Sequence, residues 1–139
     1  MPAAPWSMSR RRLLIAAGLA AWPGLLRAAP LDWQARPWQL MMVGSASCHY
    51  CRQWRAEIGP GFAASPAGRA APLFEVDVDG PFPDGLALDR RPRITPSFIL
   101  LSQGTERGRV EGYVGQTHFY PVLEDMMARS GLTLGGRAG

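Results

Sequence analysis

The sequence predicts a small, single-domain mixed α/β fold, with the element order β-α-β-β-β-α around a mixed central sheet. A continuous apolar run at 38–43, bounded by Pro37 and Gly44, indicates a strand buried on both faces. Two cysteines, Cys48 and Cys51, follow it at the start of a helix-like segment. The domain ends in a segment with helical apolar periodicity. Together these features favour a sheet crossed by a helix and closed by another.

The sequence of the first half of the domain predicts a βαβ unit. After the first strand we expect a helix over 48–58, which the Gly-Pro-Gly sequence at 59–61 stops or kinks. Helix resumes for two turns over 62–69. Residues 72–79 then alternate apolar and acidic side chains, which is a strand pattern. The two strands should be parallel and joined by a right-handed crossover.

The second half predicts a hairpin. A loop at 80–85 is followed by one helical turn at 86–89. Residues 93–101 are predicted to form a strand with a proline near its start, and residues 102–105 are of types that favour a turn. Residues 107–113 are expected to pair back as the second hairpin strand.

The last element is a predicted helix over 117–129. Its apolar residues lie on one stripe, which indicates a face packed on the sheet. The stripe comprises Phe119, Val122, Leu123, Met126 and Met127. Gly131 stands where a C-terminal cap belongs.

Residues 1–29 predict an export signal that is cleaved, leaving a domain over 30–139. Arg10-Arg11-Arg12 precede the apolar segment 13–26, and small residues follow it. This run of about 14 residues is short for a membrane span, which needs about 20. An uncleaved anchor is the alternative. Residues 9–14 also resemble the twin-arginine signal, so both the Sec and the twin-arginine routes to the periplasm stay open.

The charge balance changes once this segment is set aside. The chain has 15 basic residues, all arginine, and 11 acidic residues, which gives a net charge of +4. Four of the arginines precede residue 30, so the domain itself is near neutral. It also has no basic stripe with interleaved aromatic residues. These observations argue against nucleic-acid binding.

Cys48 and Cys51 are the only cysteines in the chain, and their spacing favours redox chemistry. The free N–H groups and dipole of a helix N-terminus stabilise a thiolate. A zinc site needs four ligands, with only His49 and His118 as further soft donors. Covalent haem attachment is excluded because its motif needs a histidine directly after the second cysteine, and residue 52 is arginine. A structural disulfide would stabilise little across so short a loop. A copper chaperone using the cysteines and a histidine is a further alternative.

The combination of Cys48-His49-Tyr50-Cys51 at a helix start with Thr95-Pro96 before a later strand resembles the thioredoxin family. The similarity covers residues 38–130. More narrowly, several stretches resemble small periplasmic thioredoxins associated with bacterial sulfur-oxidation clusters. They are residues 51–58, 70–73, 85–88 and 109–113.

The resemblance implies a role for each matching residue. Cys48 would be the exposed nucleophile and Cys51 the buried resolving thiol, the two forming the redox-active disulfide. Pro96 would be a cis proline packed against that disulfide. The backbone of Thr95 would bind the substrate chain in a β-like manner. No metal or other cofactor is implied.

His49 and Tyr50 occupy the loop positions that tune the reduction potential in this family. The chain also departs from cytosolic thioredoxins: Ser47 replaces a tryptophan, and His49 replaces a glycine. Met42 stands where those proteins carry a buried acid that moves the proton of the resolving cysteine. Proton transfer must therefore use another group or water, for which Glu57 and His49 are the candidates.

The resemblance implies an exported thiol-disulfide oxidoreductase that acts on exported proteins with thiols or disulfides. We expect it to reduce disulfides in periplasmic proteins, as a monomer that takes electrons from a membrane thiol donor. A disulfide oxidase or isomerase is the alternative, and a copper chaperone on the same fold is a weaker one.

Overall fold

The structure is a computed structural model that describes residues 32–33 and 35–135. The predicted export signal over 1–29 lies outside the described residues. The elements in chain order are β1 Trp38–Gly44, α1 His49–Glu57, α2 Gly59–Phe62, α3 Pro66–Ala70, β2 Leu73–Asp77, β3 Ser97–Ser102, β4 Thr105–Glu111 and α4 Gln116–Arg129.

The strands form one mixed sheet in the order β2-β1-β3-β4. β1 pairs in parallel with β2, and the β3-β4 hairpin adds to the other side of β1 through an antiparallel pairing. The central position of β1 explains why its sequence is apolar throughout, since both of its faces are covered. The α/β class and the βαβ unit are confirmed.

Side chains of β1 alternate between the two faces of the sheet. Leu40 and Met42 belong to a first core, formed with α1–α4, while Met41 and Val43 belong to a second core on the opposite face. All four are fully buried. The first core is rich in aromatic rings, and Trp54 lies within 6.0 Å, centroid to centroid, of three phenylalanines. These are Phe62, Phe98 and Phe119.

Among the described residues, the segment between β2 and β3 and Trp33 cover the second core, and no helix packs on it. The Trp33 indole donates a hydrogen bond to the Asp84 carbonyl over 3.2 Å. Gly85 follows with φ +85°, and a Cβ there would lie 2.7 Å from the indole nitrogen. Glycine is therefore required for this close approach. The helical turn predicted at 86–89 is wrong, because Ala87 instead forms a bridge with Thr105.

Other boundaries shift by a few residues. The strand predicted from residue 93 begins only at Ser97, after the proline, and the helix predicted at 62–69 is divided between α2 and α3. The predicted stripe on α4 is correct except for Val122, which is 36% exposed. α4 ends as expected at Gly131, whose φ of +90° and N–H bond to the Ala128 carbonyl cap the helix.

Candidate active site

The cysteine pair lies where the carboxyl end of β1 passes into α1. Cys48 is the N-cap residue of α1, and its Sγ accepts a hydrogen bond from the Cys51 N–H over 3.1 Å. The two cysteines form a disulfide, with their Cα atoms 5.2 Å apart. The Cys48 sulfur therefore occupies the position in which free N–H groups of the helix stabilise a negative charge.

The two sulfurs differ in their access to solvent. Cys48 is partly buried at the surface, whereas Cys51 has no exposed area and belongs to the first core with Met42, Trp54 and Phe98. A disulfide or thiol on another molecule can therefore reach Cys48 but not Cys51. The pair offers one sulfur for attack from outside and one that can act only within the protein.

Thr95 and Pro96 lie at the same end of the sheet. Their peptide bond is cis, and Pro96 is buried. The next residue, Ser97, pairs with Val43 just before β1 ends, so the register brings Pro96 to the level at which β1 runs into the cysteine loop. The Pro96 carbonyl accepts a hydrogen bond of 2.7 Å from the N–H of Gly112, the residue that follows β4.

Exposed apolar side chains gather at this end of the sheet. Among the described residues, the large hydrophobic side chains left exposed are Tyr50, Ile94, Val114 and Val122. Tyr50 lies in the first turn of α1, Ile94 directly precedes Thr95, and Val114 follows β4. The antiparallel register brings these segments to the same end of the sheet. Sequence reasoning missed both Ile94, which it placed at the start of a strand, and Val114, which lies between the last predicted strand and the last helix. An apolar residue in such a connection is the signal that could have found Val114.

His49 and Tyr50 are the first two residues of α1, between the two cysteines. Both are exposed, and their rings meet edge to face with centroids 5.4 Å apart. Arg52, one turn into α1, donates a hydrogen bond to the Ala46 carbonyl over 3.2 Å, which ties the loop to the helix. The structure therefore places both predicted tuning residues beside the cysteines.

Glu57, a predicted candidate for proton transfer, lies on the exposed face of α1. It accepts hydrogen bonds from the Gln53 amide at 3.1 Å and from the Tyr113 hydroxyl at 2.5 Å. The Tyr113 bond, with a smaller effect of Gln53, lowers the pKa of Glu57. Burial, together with the nearby Glu57 carboxylate, raises the pKa of Tyr113. Glu57 is thus already bound by two neighbours.

Within residues 32–33 and 35–135, no group of three or more His, Cys, Asp or Glu side chains is arranged to hold a metal ion. His118 is exposed in the first turn of α4. No helix in the described part of the chain combines the length and apolar character needed to cross a membrane.

The structure resembles that of the periplasmic thioredoxin SoxS from Paracoccus pantotrophus in its reduced form. The two are 38% identical, with a TM-score of 0.65, and the match covers 67% of this chain and 98% of that one. The chain belongs to the thioredoxin family. This confirms the resemblance drawn from the cysteine pair and Thr95-Pro96, and it agrees with the narrower likeness to periplasmic thioredoxins.

More distant solved structures also match. A thioredoxin from Malassezia sympodialis is 19% identical, with a TM-score of 0.44, and the match covers 66% of this chain and 76% of that one. A thioredoxin-fold protein from Helicobacter pylori is 16% identical, with a TM-score of 0.48 and coverage of 71% and 74%. No family model and no curated protein matches the chain. The assignment rests on the first match.

Family membership and the paired cysteines identify the protein as a thiol-disulfide oxidoreductase. The geometry suits that chemistry, because an accessible sulfur at a helix N-terminus can exchange with a partner while a second sulfur lies within bonding distance.

Proposed function

We propose that the protein is an exported reductase of disulfides in periplasmic proteins. The roles of Cys48 and Cys51 are inferred from the difference in their exposure to solvent. Cys48, partly exposed and placed at the N-terminus of α1, is the nucleophile. Cys51, with no exposed area, is the resolving thiol. The same sulfurs, acting in reverse, would oxidise a dithiol.

Reduction proceeds in two exchange steps. The Cys48 thiolate attacks a substrate disulfide, forms a mixed disulfide and releases one substrate thiolate. The Cys51 thiolate then attacks Cys48, which forms the intramolecular disulfide and releases the second substrate thiolate. Two electrons pass to the substrate, whose thiolates take protons from solvent. A membrane thiol donor would return the cysteines to the reduced form.

The apolar surface around the cysteines supports a protein as substrate. Tyr50, Ile94 and Val114 can contact an extended segment that carries the target disulfide. In the family pattern, the backbone of Thr95 pairs with that segment, and Pro96 packs against the cysteines. Both residues lie at this end of the sheet. His49 and Tyr50 are proposed to tune the reduction potential.

Export to the periplasm is supported by two observations. The first 29 residues have the basic start, apolar middle and small residues of a signal peptide. The match at 38% identity is a thioredoxin described as periplasmic. The reductive direction is supported by the same likeness. Oxidase and isomerase roles are the competing functions.

The reduction potential of the Cys48–Cys51 pair tests the direction. We would equilibrate the domain over residues 30–139 with defined glutathione and dithiothreitol buffers and measure the fraction oxidised. A potential near that of thioredoxin, about −270 mV, is the expected result, whereas one near the value of about −120 mV found for DsbA would indicate an oxidase. Absence of a reversible disulfide would contradict both roles. A Cys51→Ser variant should accumulate the mixed disulfide with substrate, and Cys48→Ser should not.

A further inference from the structure

The resolving step requires Cys51 to lose its proton inside the protein. Cys51 has no exposed area, and burial among apolar groups raises the pKa of a thiol. Met42, which stands where related proteins carry a buried acid, is itself fully buried and has no charge. Some other group must favour the Cys51 thiolate if the second step is to be fast.

An ion pair between α1 and β2 lies beside this sulfur. The Arg55 Nη2 is 2.8 Å from Glu75 Oε2, and Arg55 Nε donates to the same carboxylate at 3.1 Å. The hydrogen bond that Arg55 donates to the Glu75 carboxylate raises the pKa of Arg55 and so holds it charged. The side chain of Arg55 is 38% exposed and that of Glu75 is 40% exposed. The pair therefore joins the helix that carries Cys51 to the edge strand.

Gly44 brings the guanidinium close to the sulfur. A Cβ atom on Gly44 would lie 3.2 Å from Arg55 Nη2 and 3.3 Å from Cys51 Sγ. Both atoms thus border a position that only glycine leaves empty, each within 3.3 Å of it. No atom of Glu75 is among the three nearest to that position. The positive end of the ion pair is the end that faces Cys51.

The other charged groups on α1 and β2 have exposed side chains. Asp77 lies with Arg55 and Glu75 along an open cavity of about 360 Å³ that also reaches Gly44. On α1 itself the remaining charged or titratable side chains are exposed; they are His49, Tyr50, Arg52 and Glu57. β3 and α4 contribute apolar side chains to the core around the sulfur. Arg55 is therefore the cation placed to act on Cys51.

We propose that Arg55 is a positioning residue for the resolving step, stabilising the Cys51 thiolate, and that Glu75 orients Arg55 and moderates its charge. The proposal rests on the proposed function, since it concerns the second exchange step. The proton of Cys51 leaves to water in the cavity lined by Arg55 and Glu75. The thiolate then forms the bond to Cys48, and the bond between Cys48 and the substrate sulfur breaks.

Removing the cation or the anion of the ion pair should shift the pKa of Cys51 in opposite directions. Arg55→Gln removes the cation, so the pKa of Cys51 should rise by roughly 0.5 to 1, as the charge of a nearby, partly exposed guanidinium allows. Glu75→Gln leaves the cation without its counter-charge, so the pKa of Cys51 should fall. A purely structural ion pair predicts that both substitutions have the same effect, because each breaks the same contact.

The pKa is measured on Cys51 alone, in a Cys48→Ser background, by the ultraviolet absorbance of the thiolate. Arg129→Gln provides the matched control, because Arg129 forms a comparable 2.8 Å ion pair with Asp125 on α4, away from the cysteines. It should leave the pKa of Cys51 unchanged. Shifts of the same sign for Arg55→Gln and Glu75→Gln, or no shift in either, would overturn the proposal.

A kinetic measurement on the protein with both cysteines separates this proposal from the proposed function. An aryl disulfide that releases a coloured thiolate gives one equivalent when Cys48 attacks and a second when Cys51 resolves. Arg55→Gln should slow the second phase about twofold to threefold, because greater nucleophilicity offsets part of the lost thiolate. The first phase should stay unchanged. A wild-type protein without a second phase would contradict the proposed function, whereas a normal second phase in Arg55→Gln would contradict only the role of Arg55.

Discussion

Tyr113 joins the loop after β4 to α1 through a hydrogen bond from its hydroxyl to the Glu57 carboxylate, with the two oxygens 2.5 Å apart. The ring of Tyr113 also packs against Phe119, at a centroid distance of 6.0 Å. One side chain thus connects the helix that begins at the cysteines, the loop that carries Val114, and α4. This contact brings together residues 56 positions apart in the chain.

Replacing Tyr113 with phenylalanine should raise the pKa of Glu57 towards its ordinary value, since the hydroxyl is the main cause of its lowering. A carboxyl whose pKa is lowered by folding contributes stability above its unfolded pKa and loses it as the pH falls through the folded value. The variant should therefore be less stable than wild type at neutral pH, with the difference vanishing in acid. NMR titration of Glu57 and urea unfolding across pH would measure both effects.

Tyr120→Phe is the matched control for the loss of a hydroxyl. Tyr120 stacks on Phe62 at an interplanar angle of 7° and is not among the groups bonded to Glu57. It should leave the pKa of Glu57 unchanged. A pKa that stays low in Tyr113→Phe would show that the hydroxyl has little influence on the carboxylate in solution.

The pair Arg109–Glu106 should make a large contribution to stability. Their side chains are only 7% and 3% exposed, and two hydrogen bonds of 2.7 Å join them. Glu106 also accepts the Asp89 N–H, and Arg109 donates to the Arg90 carbonyl, so the pair anchors the loop before β3. Arg109→Met leaves Glu106 buried without its cation and should cost about 3–5 kcal/mol in urea unfolding.

The double variant Arg109→Met with Glu106→Met separates the loss of the ion pair itself from the penalty of leaving Glu106 buried and unpaired. Because it leaves no buried charge, it should be more stable than Arg109→Met alone. Arg129→Gln, which removes an exposed ion pair, should cost less than about 1 kcal/mol. If Arg109→Met also costs under about 1 kcal/mol, the pair is solvated to a greater extent than its burial indicates.

Adjacent positions on α4 should respond differently to truncation. Leu123 is 1% exposed in the first core, whereas Val122 is 36% exposed. Leu123→Ala should lower the free energy of unfolding by about 2–5 kcal/mol, through lost burial and the cavity left behind. Val122→Ala should change it by less than about 1 kcal/mol. Equal losses in urea unfolding would mean that Val122 is covered in solution.

His49 should affect the chemistry of Cys48 without affecting the fold. The exposed imidazole lies next to the N-cap sulfur, where a positive charge would stabilise the thiolate. His49→Ala should therefore raise the pKa of the Cys48 thiol and make the reduction potential more negative, with an unchanged unfolding midpoint for the oxidised protein. His118→Ala, at the start of α4, is the control. An unchanged pKa of Cys48 would exclude a tuning role for His49.

Local patterns were sufficient for much of this fold. The apolar run of β1, the helix that begins at Cys48 and the periodicity of α4 were all predicted from sequence, with boundaries differing by one or two residues. Each reflects a short-range preference: burial on both sheet faces, a helix start, or a helical period of 3.6 residues. The cysteine spacing likewise indicated the chemistry, because two sulfurs one helical turn apart can form a disulfide.

The contacts that shape the site depend on tertiary structure. Arg55 reaches Cys51 only because Gly44 ends β1 beside it and Glu75 holds it from β2. Ile94 and Val114 join Tyr50 only through the register of β3 with β1 and β4. The loop over the second core depends on its contact with Trp33, which no helical or strand period encodes. Sequence periodicity records which face of an element is buried, whereas distances between residues far apart in the chain are set by how the elements pack.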